Sequence, residues 1–253
     1  MPAPPDASAE IAAAIEDVVR TIGAGGPAPR GMPYFGLDHP SGTRLRLVDE
    51  LAARGIFRKY EHVLDLGGGL GASTRYMAVR LGCTATATGT AAEARAAGGL
   101  TRRAALGWQV FHVAADAASL PFGEAAFTHV WAIEALPQLG PAERTLAEAA
   151  RVLRPGGHLG IQDLVGTQAD PLPGILGPSC SRTRDLARAG FVEIAERDVT
   201  AEAVEHGSRQ QVARAQLARR LGDGHPLVRR RQTIEHALAT GRLRVVQYTA
   251  RRP

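Results

Sequence analysis

Residues 63–71 read Val-Leu-Asp-Leu-Gly-Gly-Gly-Leu-Gly, an apolar run that passes straight into a glycine-rich turn, with helical patterning from Ser73 onward. Glycines suit such a turn because its backbone angles are unusual and because any side chain would block a ligand lying against the main chain. A carboxylate or phosphate can then rest near the N-terminus of the next helix, where backbone N–H groups point outward. Taken alone, the loop suits a dinucleotide as well as other ligands.

The same texture continues on both sides of the loop. Apolar runs at 62–66, 85–88, 110–113, 128–133 and 158–164 alternate with helical patterns from Ser73, from Ala91 and over 142–153. Short apolar strands separated by helices of ten or more residues predict a parallel sheet covered on both faces, with function at the C-terminal ends of its strands. After Gly166 comes a loop containing Pro171, Pro173, Gly174, Gly177 and Pro178. A helix at 181–189, a strand at 191–195, a polar helical stretch at 201–239 and a closing strand at 243–249 follow. Ahead of this domain, residues 1–9 are Pro/Ala-rich and read as disordered, while Ile11, Ile15, Val18, Val19 and Ile22 recur at helical spacing up to Gly23, Gly25 and Gly26. A Gly/Pro-rich link over 23–42 leads to a second helix carrying Leu45, Val48, Leu51 and Ala52 and stopping near Gly55. Residues 1–58 therefore read as a helical extension and 59–253 as the main domain.

A chain of 253 residues with 45% apolar content is enough for one large buried core. The formal charge of +5 invites a nucleic-acid partner, but Lys59 is the sole lysine and the arginines are spread along the chain with no stripe interleaved with aromatics. We therefore expect no nucleic-acid partner. With no apolar run of about 18 residues and no secretory start, no membrane association is expected and a cytoplasmic location is the default. Cys83 and Cys180 lie in no CxxC or Cys/His cluster, so they read as reduced, buried residues and no metal site is expected.

Four segments together narrow the reading. The first is the glycine loop, in which Gly71 follows Gly69 by two residues and Asp65 precedes Gly67 by two. The others are Ala115-Asp116-Ala117-Ala118-Ser119-Leu120-Pro121-Phe122, then Phe127-Thr128-His129-Val130-Trp131-Ala132-Ile133-Glu134, then Glu148-Ala149-Ala150-Arg151-Val152-Leu153-Arg154-Pro155-Gly156-Gly157-His158-Leu159. In this order they resemble the class I S-adenosylmethionine-dependent methyltransferases, and Leu-Pro-Phe and Leu-Arg-Pro-Gly-Gly are similar to members acting on quinones, tocopherols, sterols and bacterial natural products. The resemblance implies a Rossmann-like α/β fold, a seven-stranded, mostly parallel, doubly wound sheet with an N-terminal helical lid. It implies S-adenosylmethionine as cofactor, S-adenosylhomocysteine as product and a small-molecule acceptor, in a monomer or a homodimer. Asp65, Gly67, Gly68, Gly69 and Gly71 would form the cofactor floor, and Asp116, with Ala117 beside it, would meet the adenine amino group. Pro155 and Gly156 would stop the helix before the fifth strand.

Two positions depart from the family. Its second strand ends in an acid that accepts both ribose hydroxyls, and aligning Gly89 puts Ala91 there; Thr90 or Glu93 can substitute if the loop shifts by one residue, Glu93 being the better acceptor or else a helix-start acid. Thr128 replaces a common Asp. A protein that binds the cofactor without transferring methyl is therefore the alternative reading. A nucleic-acid methyltransferase that attacks amino groups would carry Asn/Asp-Pro-Pro-aromatic, where this chain has Glu134-Ala135-Leu136-Pro137. His39, on the segment ahead of the glycine loop, is the preferred general base, and Glu134, with Gln138, is placed to face an acceptor. His129 reads as structural, and Tyr34, Phe35 and Trp131 as apolar walls, with core packing the default for Trp131. The alignment of the second strand is testable. If Ala91 lies opposite the ribose, Ala91→Asp tightens S-adenosylmethionine binding by about 1–3 kcal/mol, whereas if Glu93 has taken over, Glu93→Ala weakens it by a similar amount and Ala91→Asp gains nothing. Calorimetry on both variants reads out the register.

Overall fold

In the central strands the apolar runs leave no polar face. Val63, Leu64, Val130, Trp131 and Ala132 are all buried, so these strands are covered on both sides, as a parallel sheet requires. The structure, a computed structural model, describes residues 7–23, 30–39, 41, 43, 45–53, 61–168, 175–178, 180–203 and 208–253. The expectations for residues 1–6, for the glycines at 25, 26 and 55, for Lys59 and for Pro171, Pro173 and Gly174 lie outside the described residues.

The chain runs α1 (Ala7–Gly23), α2 (Leu47–Ala52), β1 (His62–Asp65), α3 (Ala72–Leu81), β2 (Thr84–Gly89), α4 (Ala91–Arg103), β3 (Val110–Ala114) and β4 (Phe127–Ile133). It continues with α5 (Ala142–Val152), β5 (Leu153–Gly166), α6 (Arg182–Arg188), β6 (Val192–Asp198), α7 (Ser208–Leu221), α8 (Pro226–Ala239) and β7 (Leu243–Arg251). Single 3-10 turns occupy Leu136–Gln138 and Thr200–Glu202. The seven strands form one sheet in the order β3-β2-β1-β4-β5-β7-β6, with β1 to β5 parallel and β7 antiparallel to both β5 and β6. The expected α/β, mostly parallel, seven-stranded sheet is what forms. The order reverses between β1 and β4, and a crevice opens at the C-terminal ends of strands where such a reversal occurs.

One side of the sheet packs under α5 and α6 through Leu64, Val130, Leu146, Ala149, Leu186 and Tyr248. The other side packs under α2 and α3 through Val48, Leu51, Val63, Tyr76, Met77 and Trp131. Gly160 makes that second contact possible, because a Cβ there would come within 3.0 Å of Leu51 and 3.1 Å of the Trp131 indole nitrogen.

Several sequence expectations change. Residues 7–9 belong to α1, whose Ala12, Ile15 and Val18 cover Ala213 and Leu217 of α7 and Leu100 of α4; that burial carries the helix past the Pro/Ala composition. The link is not open chain either, since Tyr34, Phe35, Leu37, Asp38 and His39 are buried. Residues 201–239 are not polar all round, for Leu217, Leu227, Val228, Ile234 and Leu238 face inward. α5 ends at Val152, ahead of Pro155 and Gly156, and these two lie in an irregularity of β5, where Phe127 pairs with Leu153 but His129 with His158. Cys83 is buried as expected, whereas Cys180 is exposed, because it lies in the loop ahead of α6 and outside every core. Among the described residues no helix is long and apolar enough to cross a membrane.

A buried ion pair ties the N-terminal segment to α3. The Arg75 guanidinium, on α3 and fully buried, donates to Asp38 Oδ2 at 2.5 Å, to the Leu70 carbonyl at 2.6 Å and to Thr101 Oγ1 at 2.9 Å, and it lies 5.3 Å from the Tyr34 ring centre. Removing one member of a buried pair strands the other charge, so Arg75→Met should cost about 3–5 kcal/mol, and the double change Arg75→Met with Asp38→Leu should recover most of it. Urea denaturation of the three proteins measures both effects.

Candidate functional site

At the reversal point the Asp65 carboxylate turns away from solvent. It is fully buried, and its Oδ2 accepts the Ser73 and Thr74 hydroxyls, each at 2.7 Å, which ties the end of β1 to the first turn of α3. Burial pushes its pKa up to about 6 despite these two bonds. The chain between must therefore turn tightly, and Gly68 shows how tightly: a Cβ there would lie 2.8 Å from Ala87 Cβ and 3.0 Å from Thr74 Oγ1. Gly69, at φ +52°, is the opposite case, with nothing within 4 Å of where its Cβ would stand.

That open side of Gly69 faces a cavity of about 630 Å³. Its floor is Gly67, Gly68 and Gly69 with Ala72 and Ser73 of α3. Neither Asp65 nor Gly71 lines it. Asp65 is turned beneath the loop onto the two hydroxyls, and Gly71 caps α3, packed so close to His112 and Arg75 that a Cβ would approach them at 2.6 and 2.7 Å. These two shape the floor from below.

One flank of the cavity is built from the ends of β2 and β3. Gly89, Thr90 and Glu93 line it, followed by Ala115, Asp116 and Ala117. Thr90 and Glu93 form a capping box at the start of α4: the Thr90 hydroxyl accepts the Glu93 N–H, and Glu93 Oε2 accepts the Thr90 N–H at 2.8 Å and its hydroxyl at 2.9 Å. Ala91 is exposed and does not line the cavity, whereas Thr90 and Glu93 do. The helix starts at Ala91, as its pattern predicts, because Thr90 satisfies the cap. Asp116 Oδ1 accepts the Ala118 N–H at 2.9 Å, which holds its loop.

The facing flank carries His39, Ser41, Glu134 and Gln138, with Arg230 of α8 at its side. His39 is buried, and Arg231, on α8, reaches across to donate to the carbonyls of Leu37 and His39. Its Nε2 lies 3.2 Å from Thr43 Oγ1, 3.5 Å from Ser41 Oγ and 3.9 Å from Glu134 Oε2. Burial pushes the His39 pKa below the ordinary 6.5, and the Glu134 carboxylate pulls against that shift. Glu134 sits just past β4 at φ +56°, a strained conformation for a residue with a side chain. Two bonds to one neighbour hold it there: its N–H donates to the Gln162 carbonyl at 2.6 Å and its Oε1 accepts the Gln162 amide at 2.7 Å. Oε1 also accepts the Thr43 hydroxyl, whereas the buried Oε2 has no hydrogen-bond partner among the described residues.

The remaining expectations sort by position. Tyr34, Phe35 and Trp131 are not cavity walls: Tyr34 donates to the Leu100 carbonyl at 2.6 Å inside the α1 core, where Phe35 also packs, and Trp131 lies under α2. His129 stacks on His158 at 5.5 Å, away from the cavity, and burial pushes its pKa down to about 4. Thr128 Oγ1 bridges the main chain of His62, donating to its carbonyl and accepting its N–H at 3.0 Å each. Sequence reasoning missed Arg75, Thr43, Gln162 and Gln247. For Gln162 a signal existed, since Gln162 and Asp163 are polar residues inside the run 159–165, where a buried polar group needs a built partner.

Comparison with known proteins agrees with this geometry. Residues 64–161 match the family model described as a methyltransferase domain. The O-methyltransferase cnsE of Penicillium expansum is 37% identical over 127 residues, which are 50% of this chain and 46% of that protein. The chain spans about half the length of the first curated relatives it matches. Among solved structures, the [4+2]-cyclase SpnF superposes with a TM-score of 0.69 at 22% identity, covering 97% of this chain and 94% of that one. The geranyl diphosphate C-methyltransferase of Streptomyces coelicolor A3(2), solved with geranyl diphosphate and S-adenosyl-L-homocysteine, gives 0.61 at 18% identity over 100% of both chains. With its strand order and its glycine floor, the chain resembles over residues 64–161 the methyltransferase domain of the class I S-adenosylmethionine-dependent family.

Proposed function

We propose that this protein transfers the methyl group of S-adenosylmethionine to a hydroxyl of a small-molecule acceptor, with His39 as general base and Glu134 beside it. The observation that carries the reading is a single cavity, bare glycine backbone on its floor and a buried His–Glu pair on its wall. Its volume suits a ligand of nucleoside size together with a small acceptor. The unpartnered Glu134 Oε2 and the clear space over Gly69 both fit a bound polar molecule.

When bound, S-adenosylmethionine supplies a methyl already activated on a sulfonium, so the protein's work is alignment and exclusion of water. Gly67, Gly68 and Gly69 would hold the cofactor as main chain without side chains, Asp116 with Ala117 beside it would meet the adenine amino group, and Glu93, held by the Thr90 cap, would accept from the ribose hydroxyls. His39 takes the acceptor's hydroxyl proton as the oxygen attacks, and Glu134 favours the imidazolium that results. Residues up to 58 act as the lid, since Asp38 and Arg231 fix the segment that brings His39 to the cavity. The relative named as an O-methyltransferase supports a hydroxyl acceptor, and the absence of Asn/Asp-Pro-Pro-aromatic after β4 supports a small molecule over a nucleic acid.

The general-base role predicts a pH profile. The base must be neutral, so turnover falls as pH drops through the His39 pKa; burial lowers that value, so the acid limb lies below 6.5. His39→Gln should remove the limb and slow transfer about 10²–10⁴-fold while leaving S-adenosylmethionine affinity unchanged. Labelled S-adenosylmethionine with a panel of phenolic, alcoholic and amine acceptors measures this. Tight binding without transfer to any of them would favour the alternative of a cofactor-binding protein that moves no methyl. For the floor, Gly69→Ala should cost the fold about 1–2 kcal/mol, from the left-handed backbone alone. Calorimetry should show S-adenosylmethionine binding weakened at least tenfold, about 1.4 kcal/mol; unchanged affinity would place the ligand elsewhere.

A further inference from the structure

A chain of side-chain amides and hydroxyls runs from α2 through the sheet to the His39 ring, and hydrogen bonding in it can run in one direction only. It starts at the Leu47 main-chain carbonyl, which can only accept. The Gln247 atom facing it at 2.8 Å must therefore be the amide nitrogen, and the same nitrogen contacts Gln162 at 2.9 Å. That contact fixes the Gln162 oxygen on the β7 side, so its own nitrogen faces Glu134 and donates to Oε1 at 2.7 Å. As a carboxylate oxygen, Oε1 can only accept. The Thr43 hydroxyl in contact with it must be the donor, which spends the only hydrogen Thr43 has.

The last link then follows. Thr43 Oγ1 lies 3.2 Å from His39 Nε2 and has only lone pairs left to offer, so a bare Nε2 would face it lone pair to lone pair and have only the longer Ser41 Oγ contact, at 3.5 Å, to accept from. We infer that Gln247, Gln162 and Thr43 act as positioning residues that keep the proton of neutral His39 on Nε2, so that Nδ1 carries the lone pair and is the basic nitrogen. Ser41 is compatible with this direction, because its oxygen accepts the Thr43 N–H at 3.3 Å and its hydroxyl can donate to the second lone pair of Thr43. The charged groups acting on His39 are Glu134 from the end of β4, Asp38 from its own segment, and Arg231 and Arg214 from α8 and α7; none of them contacts the ring within normal hydrogen-bond length.

This inference deepens the reading of His39 as general base, yet its test needs no acceptor. Histidine labelled with ¹⁵N in the full chain reports by NMR which ring nitrogen bears hydrogen, and the His39→Gln spectrum identifies the resonances that belong to His39. At a pH where His39 is neutral, the wild-type spectrum should show a protonated Nε2 and a bare Nδ1. Thr43→Val and Gln162→Leu should both move the population toward the other tautomer, and Thr43→Ser, which keeps the hydroxyl, should restore it. A wild-type ring protonated on Nδ1 overturns the inference, and so does a tautomer that stays put in both Thr43→Val and Gln162→Leu. Should the predicted tautomer be found while no acceptor is methylated, the general-base reading fails and the relay stands.

Discussion

A guanidinium closed off from water lies beneath the glycine loop, and the architecture of the site depends on it. Arg75 bonds the Leu70 carbonyl at the end of the loop, the Asp38 carboxylate on the N-terminal segment and the Thr101 hydroxyl on α4, so three separate stretches of chain meet on one side chain. Desolvating an arginine is expensive, and attraction to a carboxylate offsets it only when the remaining donors are well placed. Here two carbonyls, a hydroxyl and the face of Tyr34 surround the charge. His39 follows Asp38 directly, so the pair that anchors the segment also brings the candidate base to the cavity edge.

Opposite this anchor the molecule accepts strain. Glu134 adopts a left-handed backbone that a side-chain-bearing residue avoids, and Gln162 holds it through both main chain and side chain. The outcome is a carboxylate with one oxygen accepting two protein donors and the other buried without a hydrogen-bond partner among the described residues. A buried oxygen without a partner costs free energy, and so does a left-handed backbone on a residue with a side chain. The two flanks of the cavity differ in how they are held: the β2–β3 flank by helix-capping bonds, the His39–Glu134 flank by side-chain bonds between distant segments.

The glycine loop, the strand–helix alternation and the seven strands were legible in the sequence because they follow from local rules: glycine where backbone angles demand it, and near-continuous apolar runs where a parallel strand is covered on both sides. The floor of the cavity and both of its flanks were legible for the same reason, since Gly69, Asp116 and Glu134 stand at strand ends, where a doubly wound sheet places its ligands. The register at the end of β2 was harder. Ala91 and Glu93 compete for one position by alignment, and the capping box of Thr90 and Glu93, a signal present in the sequence as Thr-x-x-Glu, was what decided where α4 begins.

Sequence alone determined, then, the order of elements and the existence of the glycine turn that floors the cavity, because each is fixed by residues within a few positions of one another. Tertiary structure decided everything that joins distant parts. Arg75 with Asp38, Arg231 with the His39 carbonyl, and the relay from Leu47 through Gln247, Gln162, Glu134 and Thr43 connect residues that no periodicity relates. The same holds for Tyr34, Phe35 and Trp131, apolar residues that fit a cavity wall and a core equally well until packing assigns them to the core. A buried polar group must be satisfied by whichever partner the fold brings within about 3 Å, and only the folded chain specifies which partner that is.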